Sequence, residues 1–196
     1  MISHLAAYFL WAGVCFLKAE ASMCRSNLLV DDFSQFNSKT NSLGYKASDD
    51  GSMVSIHSSG NTIAFVPGNR SYFYEMLPCT DAVESGYSAI SFKMRAPRGA
   101  SIALEIQTMT SCMEQTYKST WHYVRDFTGD PEKVVVPLSA FQGVHDNALV
   151  GINWGTWDEY MDRAFAWELA DVQLTCSRNP PPNSSSAAVG LVSGGV

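Results

Sequence analysis

The chain has 196 residues, a formal charge of −6 and a 46% hydrophobic composition, with no run of basic side chains. That length suits one domain with a core of its own. The acidic balance excludes a nucleic-acid partner held by phosphate neutralisation.

The first predicted element is a leader. Leu5 to Leu17 read LAAYFLWAGVCFL, an apolar run too short to cross a bilayer as a stable helix, and Ala19-Glu20-Ala21 follows as an A-x-A cleavage pattern. Residues 1–21 are therefore expected to be a secretory signal peptide, 22–176 the folded domain and 177–196 a tail. No later segment is long and apolar enough to span a membrane, so no membrane partner is expected. Cys15 falls in the leader, and Cys24, Cys79, Cys112 and Cys176 remain. An even count in an oxidising compartment points to disulfides, with three possible connectivities. Cys24–Cys176 with Cys79–Cys112 is favoured, because it ties together the strands that open and close the domain. No C-x-x-C pair is present, so a zinc site lacks its usual spacing. The sequons at Asn69 and Asn183 fit a secreted glycoprotein.

Past the leader, helical periodicity is nearly absent. Short β-branched and aromatic runs alternate with Gly, Ser, Asn, Asp and Pro clusters, which is an all-β pattern. Strands are predicted at Leu28–Phe33, Met53–Ser58, Thr62–Val66, Ala89–Arg95, Ser101–Thr108, Trp121–Arg125, Lys133–Pro137, Leu149–Trp154 and Trp167–Leu174. Ile90, Phe92 and Met94 share one face, against Ser91, Lys93 and Arg95. Ile102, Leu104 and Ile106 repeat the pattern against Ala103, Glu105 and Gln107. One buried and one wet face per strand predicts antiparallel sheets packed as a two-sheet β-sandwich. Pro97-Arg98-Gly99 predicts a turn, and Ser139-Ala140-Phe141 a single helical turn. Beyond Cys176 the Pro-, Ser- and Gly-rich composition predicts a disordered tail.

Three fragments carry a resemblance. Asp31-Asp32-Phe33, then Val134-Val135-Val136-Pro137-Leu138-Ser139-Ala140-Phe141, then Trp167-Glu168-Leu169-Ala170-Asp171-Val172 occur in that order. Together they resemble the galactose-binding-like β-jelly-roll superfamily, in particular family-11-type carbohydrate-binding modules and the complex I intermediate-associated protein 30 domain. The resemblance spans Leu28 to Cys176. It implies a secreted jelly roll with a polysaccharide or glycan as partner. The final strand departs from the pattern in the register of its acids. The signal peptide and disulfides do not fit the mitochondrial assembly role of the second group.

The residues suggest where a glycan would sit. If Tyr117 to Arg125 is extended, Tyr117, Trp121, Tyr123 and Arg125 share a face, with His122 on the other. Aromatic rings stack on pyranose faces, and an Arg bonds two hydroxyls at once. Trp157 and Tyr160, in a loop after Gly155, are expected at the rim. Asp31, Asp32, Glu168 and Asp171 would converge as ligands of a structural calcium if the first and last strands are neighbours. Failing that, the same acids would pair with Lys46 or Arg25.

No nucleophile or zinc motif accompanies the histidines. The expectation is a monomeric, secreted, non-catalytic glycan binder. One alternative is a polysaccharide lyase or hydrolase on the same scaffold, for which Tyr123, His122 and Arg125, or Glu105 with Glu114, would supply the groups. The other is a secreted effector that uses the sandwich as a scaffold for binding a protein.

Overall fold

Most of the chain is built from short alternating segments, and their faces decide how they assemble. The structure, a computed structural model, describes residues 24, 26–143, 148–157 and 165–176. The expected leader, Tyr160, Asn183 and the tail lie outside the described residues.

Among the described residues the strands are β1 (Leu28–Asp31), β2 (Ala47–Ser48), β3 (Ser55–Ser58), β4 (Thr62–Val66), β5 (Ser71–Thr80), β6 (Tyr87–Arg95), β7 (Ile102–Thr108), β8 (Lys118–Val124), β9 (Glu132–Pro137), β10 (Leu149–Thr156) and β11 (Trp167–Cys176). A single turn of helix, α1 (Ala82–Ser85), is capped by the Asp81 side chain, which accepts from the Glu84 N–H at 2.8 Å. The strands form two antiparallel sheets. One runs β3-β4-β11-β6-β9, with β1 alongside the second half of β11. The other runs β2-β5-β10-β7-β8. This is the β-sandwich jelly roll expected from the sequence.

The inner faces meet in one core. Phe92 and Met94 of β6, Leu104 of β7, Phe73 of β5, Trp154 of β10, and Trp167, Leu169 and Leu174 of β11 are all buried in it. Trp154 meets Phe73 at 6.3 Å and Phe92 of the opposite sheet edge-on at 5.7 Å. A large indole clasped by both sheets fixes their mutual position.

Strand prediction missed β5, which with β11 is the longest element among the described residues. Its inward positions are Ser71, Phe73, Glu75 and Leu77, so a charged residue sits where an apolar one was expected. Pro78 lies where the pairing with β10 slips, between Leu149 and Gly151. The predicted helical turn occurs one residue earlier, at Leu138–Ala140.

Two irregularities redirect the acids of the terminal strands. On β1 the register shifts between Leu29 and Asp31, and both Val30 and Asp31 are fully buried. On β11 the register shifts between Ala170 and Gln173, and Asp171 takes a left-handed φ of 54°. Strict alternation from Trp167 would place Asp171 inward. The bulge brings Val172 in instead and leaves Asp171 outside. There Asp171 pairs with Lys93 at 3.3 Å, and Glu168 pairs with Arg95 at 3.0 Å. The predicted convergence of Asp31, Asp32, Glu168 and Asp171 is therefore not what the strands produce. Of the two alternative partners, Lys46 is bonded to Asp50, and Arg25 lies outside the described residues.

The disulfides are Cys24–Cys176 and Cys79–Cys112, the favoured connectivity. The first closes a separation of 152 residues and clips β1 onto the end of β11. Replacing Cys24→Ser together with Cys176→Ser is expected to cost about 2–5 kcal/mol of stability, read from urea unfolding. An unchanged unfolding midpoint would mean that strand pairing alone holds the ends.

Candidate functional site

The outer faces of the two sheets differ in chemistry. On the six-stranded sheet, the β6–β11 surface carries the Lys93–Asp171 and Arg95–Glu168 ion pairs. The five-stranded sheet presents aromatic and small polar residues around a single strand carboxylate, Glu105. Its register sets them in rows across the strands. One row runs Tyr74, Asn153, Glu105, Trp121, through β5, β10, β7 and β8. The next runs Tyr72, Gly155, Ala103, Tyr123. A third runs Met76, Gly151, Gln107, Ser119. From β5 to β8 the face is about 14 Å across.

The sides are aromatic. Trp121 is 46% exposed and Tyr123 39%, so neither is core. The Arg125 guanidinium, just past the end of β8, lies 4.8 Å from the centre of the Tyr123 ring. On the opposite side Tyr72 and Tyr74 stand with ring centres 6.1 Å apart. The Tyr74 hydroxyl donates to Asp50, and Lys46 lies over its ring at 5.2 Å. Of the aromatic patch at Tyr72-Phe73-Tyr74, only Phe73 is turned into the core.

The floor between these sides is small and polar. Gly151, Gly155 and Ala103 contribute almost no side chain. Trp157 folds back into the space over Gly155, where an added Cβ would lie 2.6 Å from the indole, and it meets Trp121 edge-on at 5.9 Å. Glu105, expected on a wet face, is only 5% exposed. Asn153 donates to one of its oxygens at 3.1 Å and Gln107 to the other at 3.4 Å. The Asn153 carbonyl oxygen is buried and has no protein partner.

Of the predicted ligand-binding residues, Trp121, Tyr123, Arg125 and Trp157 are gathered at this face. Tyr117 is exposed just before β8 begins. Sequence reading names Glu105 only as half of a glycosidase pair and does not assign it, Tyr72, Tyr74, Asn153 or Gln107 to the ligand face. The alternation of β5 was the available signal for the two tyrosines, and Glu75 disguised it. Among the described residues, no group of three or more His, Cys, Asp and Glu side chains is placed to hold a metal ion.

The groups considered for catalysis are kept apart. His122 points to the core side of β8 and meets the Phe141 ring at 6.0 Å, whereas Tyr123 points outward. Glu105 is tied to Asn153 and Gln107, while Glu114 lies in an exposed loop and accepts from Thr110.

No family model matches the chain, and no curated protein is similar to it in sequence. Solved structures are similar in fold. A family 11 carbohydrate-binding module from Clostridium thermocellum, in complex with a β-1,3-1,4-mixed-linked tetrasaccharide, is 14% identical, with 77% of this chain and 96% of that one covered and a TM-score of 0.52. The family 11 module of a cellulosomal cellulase of Clostridium thermocellum is 13% identical, with 77% and 95% covered and a TM-score of 0.53. A family 30 carbohydrate-binding module is 12% identical, with 86% and 93% covered and a TM-score of 0.50. At these identities the likeness is one of fold, a two-sheet antiparallel β-jelly roll.

Two outcomes follow from this geometry. Gly155→Ala is expected to push the Trp157 indole off the floor, seen as a red shift of tryptophan emission; unchanged emission would mean that the ring does not rest there. Burial lowers the His122 pKa below its ordinary 6.5. The unfolded chain then takes up the proton first as pH falls. The stability His122 contributes is present above about 6.5 and lost as pH falls through its folded pKa. An NMR titration of the histidine ring protons should place its midpoint below 6.5, and a midpoint above that value would contradict the burial argument.

Proposed function

We propose that this chain is a secreted, non-catalytic domain that binds a neutral polysaccharide on the outer face of the β2-β5-β10-β7-β8 sheet. The observation that carries the reading is the exposure of Trp121 and Tyr123 opposite Tyr72 and Tyr74, across a floor of small and polar residues. Large aromatics grouped on one face of a sheet lose contact with water only when something covers them. Sugar rings suit that role, because their C–H faces stack on aromatic rings while their hydroxyls reach past the edges.

The floor supplies the polar half of such recognition. Asn153 and Gln107 set side-chain amides in that floor, where ligand hydroxyls would meet them. Glu105 offers a further partner. Arg125 can bond two hydroxyls from beside Tyr123. The Glu105 carboxylate disfavours uronic-acid polymers, because a like charge at the floor would meet each acid group. Trp157 forms part of the platform, and Tyr160 is kept as a rim residue on sequence grounds.

Two disulfides and the leader-like first residues support export to an oxidising compartment. Asn69 stands in an exposed turn and would accept a glycan there. The tetrasaccharide held by the family 11 module supports the ligand class.

Affinity gel electrophoresis against mixed-linkage β-glucan, xylan, mannan and polygalacturonate tests the proposal. Retardation by at least one neutral polymer and none by polygalacturonate is expected. Trp121→Ala and Tyr123→Ala should each weaken binding about tenfold or more with little change in melting temperature. Full retention of binding by both variants would overturn the platform assignment.

A further inference from the structure

Behind the platform lies a group that glycan binding does not use. Glu75 sits on the inward face of β5, between the buried side chains of Phe73 and Leu77. Its cross-strand partners, Ala47 on β2 and Ile152 on β10, are buried as well. The carboxyl is wholly buried in this apolar setting, and neither of its oxygens has a hydrogen-bond partner.

Among the described residues no ion pair includes it. Lys46, beside β2, is bonded to Asp50, and Lys93 and Arg95 are bonded to the acids of β11. The charged group that acts on Glu75 is Asp31 of β1, which has the wrong sign to hold it ionised. Asn41 acts the other way, but its Nδ2 donates to the Met76 carbonyl and its Oδ1 accepts from Leu43 and Tyr45. An ionised carboxylate with no partner in a dry interior is so unfavourable that the group takes up a proton instead. Burial accordingly raises the Glu75 carboxyl well above its ordinary 4.5.

We propose that Glu75 holds a proton in the folded domain at pH 7 and thereby tunes the fold to an acidic medium. The unfolded chain loses that proton near the ordinary 4.5, whereas the folded chain keeps it to a much higher pH. The stability tied to the proton is therefore fully present below about 4.5 and is lost as pH rises through the folded value. Asp31 has the same sign up to about 6, and His122 the opposite sign below 6.5. Glu75 carries the trend on through neutrality. The strand that ionisation would disturb is β5, whose outer face bears Tyr72, Tyr74 and Met76. This holds whether or not a glycan covers that face.

The test is urea unfolding of the purified protein from about pH 5 to about pH 7, beside the Glu75→Gln variant. With each pH unit the folding constant of the parent should fall about tenfold more than that of the variant, because the two differ by one titrating proton. A carboxyl-carbon NMR titration of the parent reads the same proton directly: the Glu75 resonance should stand at its protonated position at about pH 7. If Glu75→Gln fails to fold, that resonance decides alone. Equal pH slopes for the parent and a folded Glu75→Gln variant, or a Glu75 resonance at the carboxylate position at neutral pH, would overturn the proposal.

Discussion

Register in the five-stranded sheet is the constraint on which the molecule depends. Side chains alternate between two faces, so a slip of one residue would exchange the whole core for the whole platform. Trp154 prevents that slip. Its indole is buried against Phe73 on the neighbouring strand and Phe92 on the facing sheet. With Trp154 inward, Asn153 and Gly155 must face outward, and their cross-strand neighbours Tyr74, Glu105, Tyr72 and Ala103 go with them. The core and the candidate site are thus two sides of one pairing scheme.

The remaining structure guards that scheme. β11 lies between β6 on one side and β4 with β1 on the other, and Cys24–Cys176 clips the ends of the domain to it. Its bulge sends Asp171 to the surface, where Lys93 answers it, while the bulge on β1 sends Asp31 inside. Acids that look alike in the sequence therefore have opposite tasks. Asp171 and Glu168 dress the outer face of the six-stranded sheet. Asp31, like Glu75, is buried in the interior, where burial raises its carboxyl pKa.

Much of the fold was legible because apolar alternation is explicit in β6 and β7, and because Gly, Pro and Asp mark the turns. Trp121 and Tyr123 were legible for the same reason: β8 alternates cleanly around His122. What hid was whatever broke alternation for a local reason. Glu75 occupies an inward position of β5, so the strand, and with it the outward direction of Tyr72 and Tyr74, does not show in the pattern. The bulges on β1 and β11 cannot be read from residue type, because Asp is tolerated at the left-handed φ a bulge can need. Glu105 is bonded by Gln107 two residues along β7, but also by Asn153 of β10, a partner it meets only after folding. The comparison with solved modules adds the fold; the aromatic face comes from the side chains of this chain.

The central claim is that the outer face of the five-stranded sheet is the ligand surface. An amide-resolved NMR titration of the labelled domain, with an oligosaccharide cut from the neutral polymer that retards it, tests this most directly. The account predicts shifts in the amides of Ala103, Gly151, Gly155 and Tyr123 and in the Trp121 indole N–H, with Lys93 and Ala170 on the opposite face unmoved. Shifts gathered around Lys93 and Ala170, with the Trp121 indole unchanged, would contradict it.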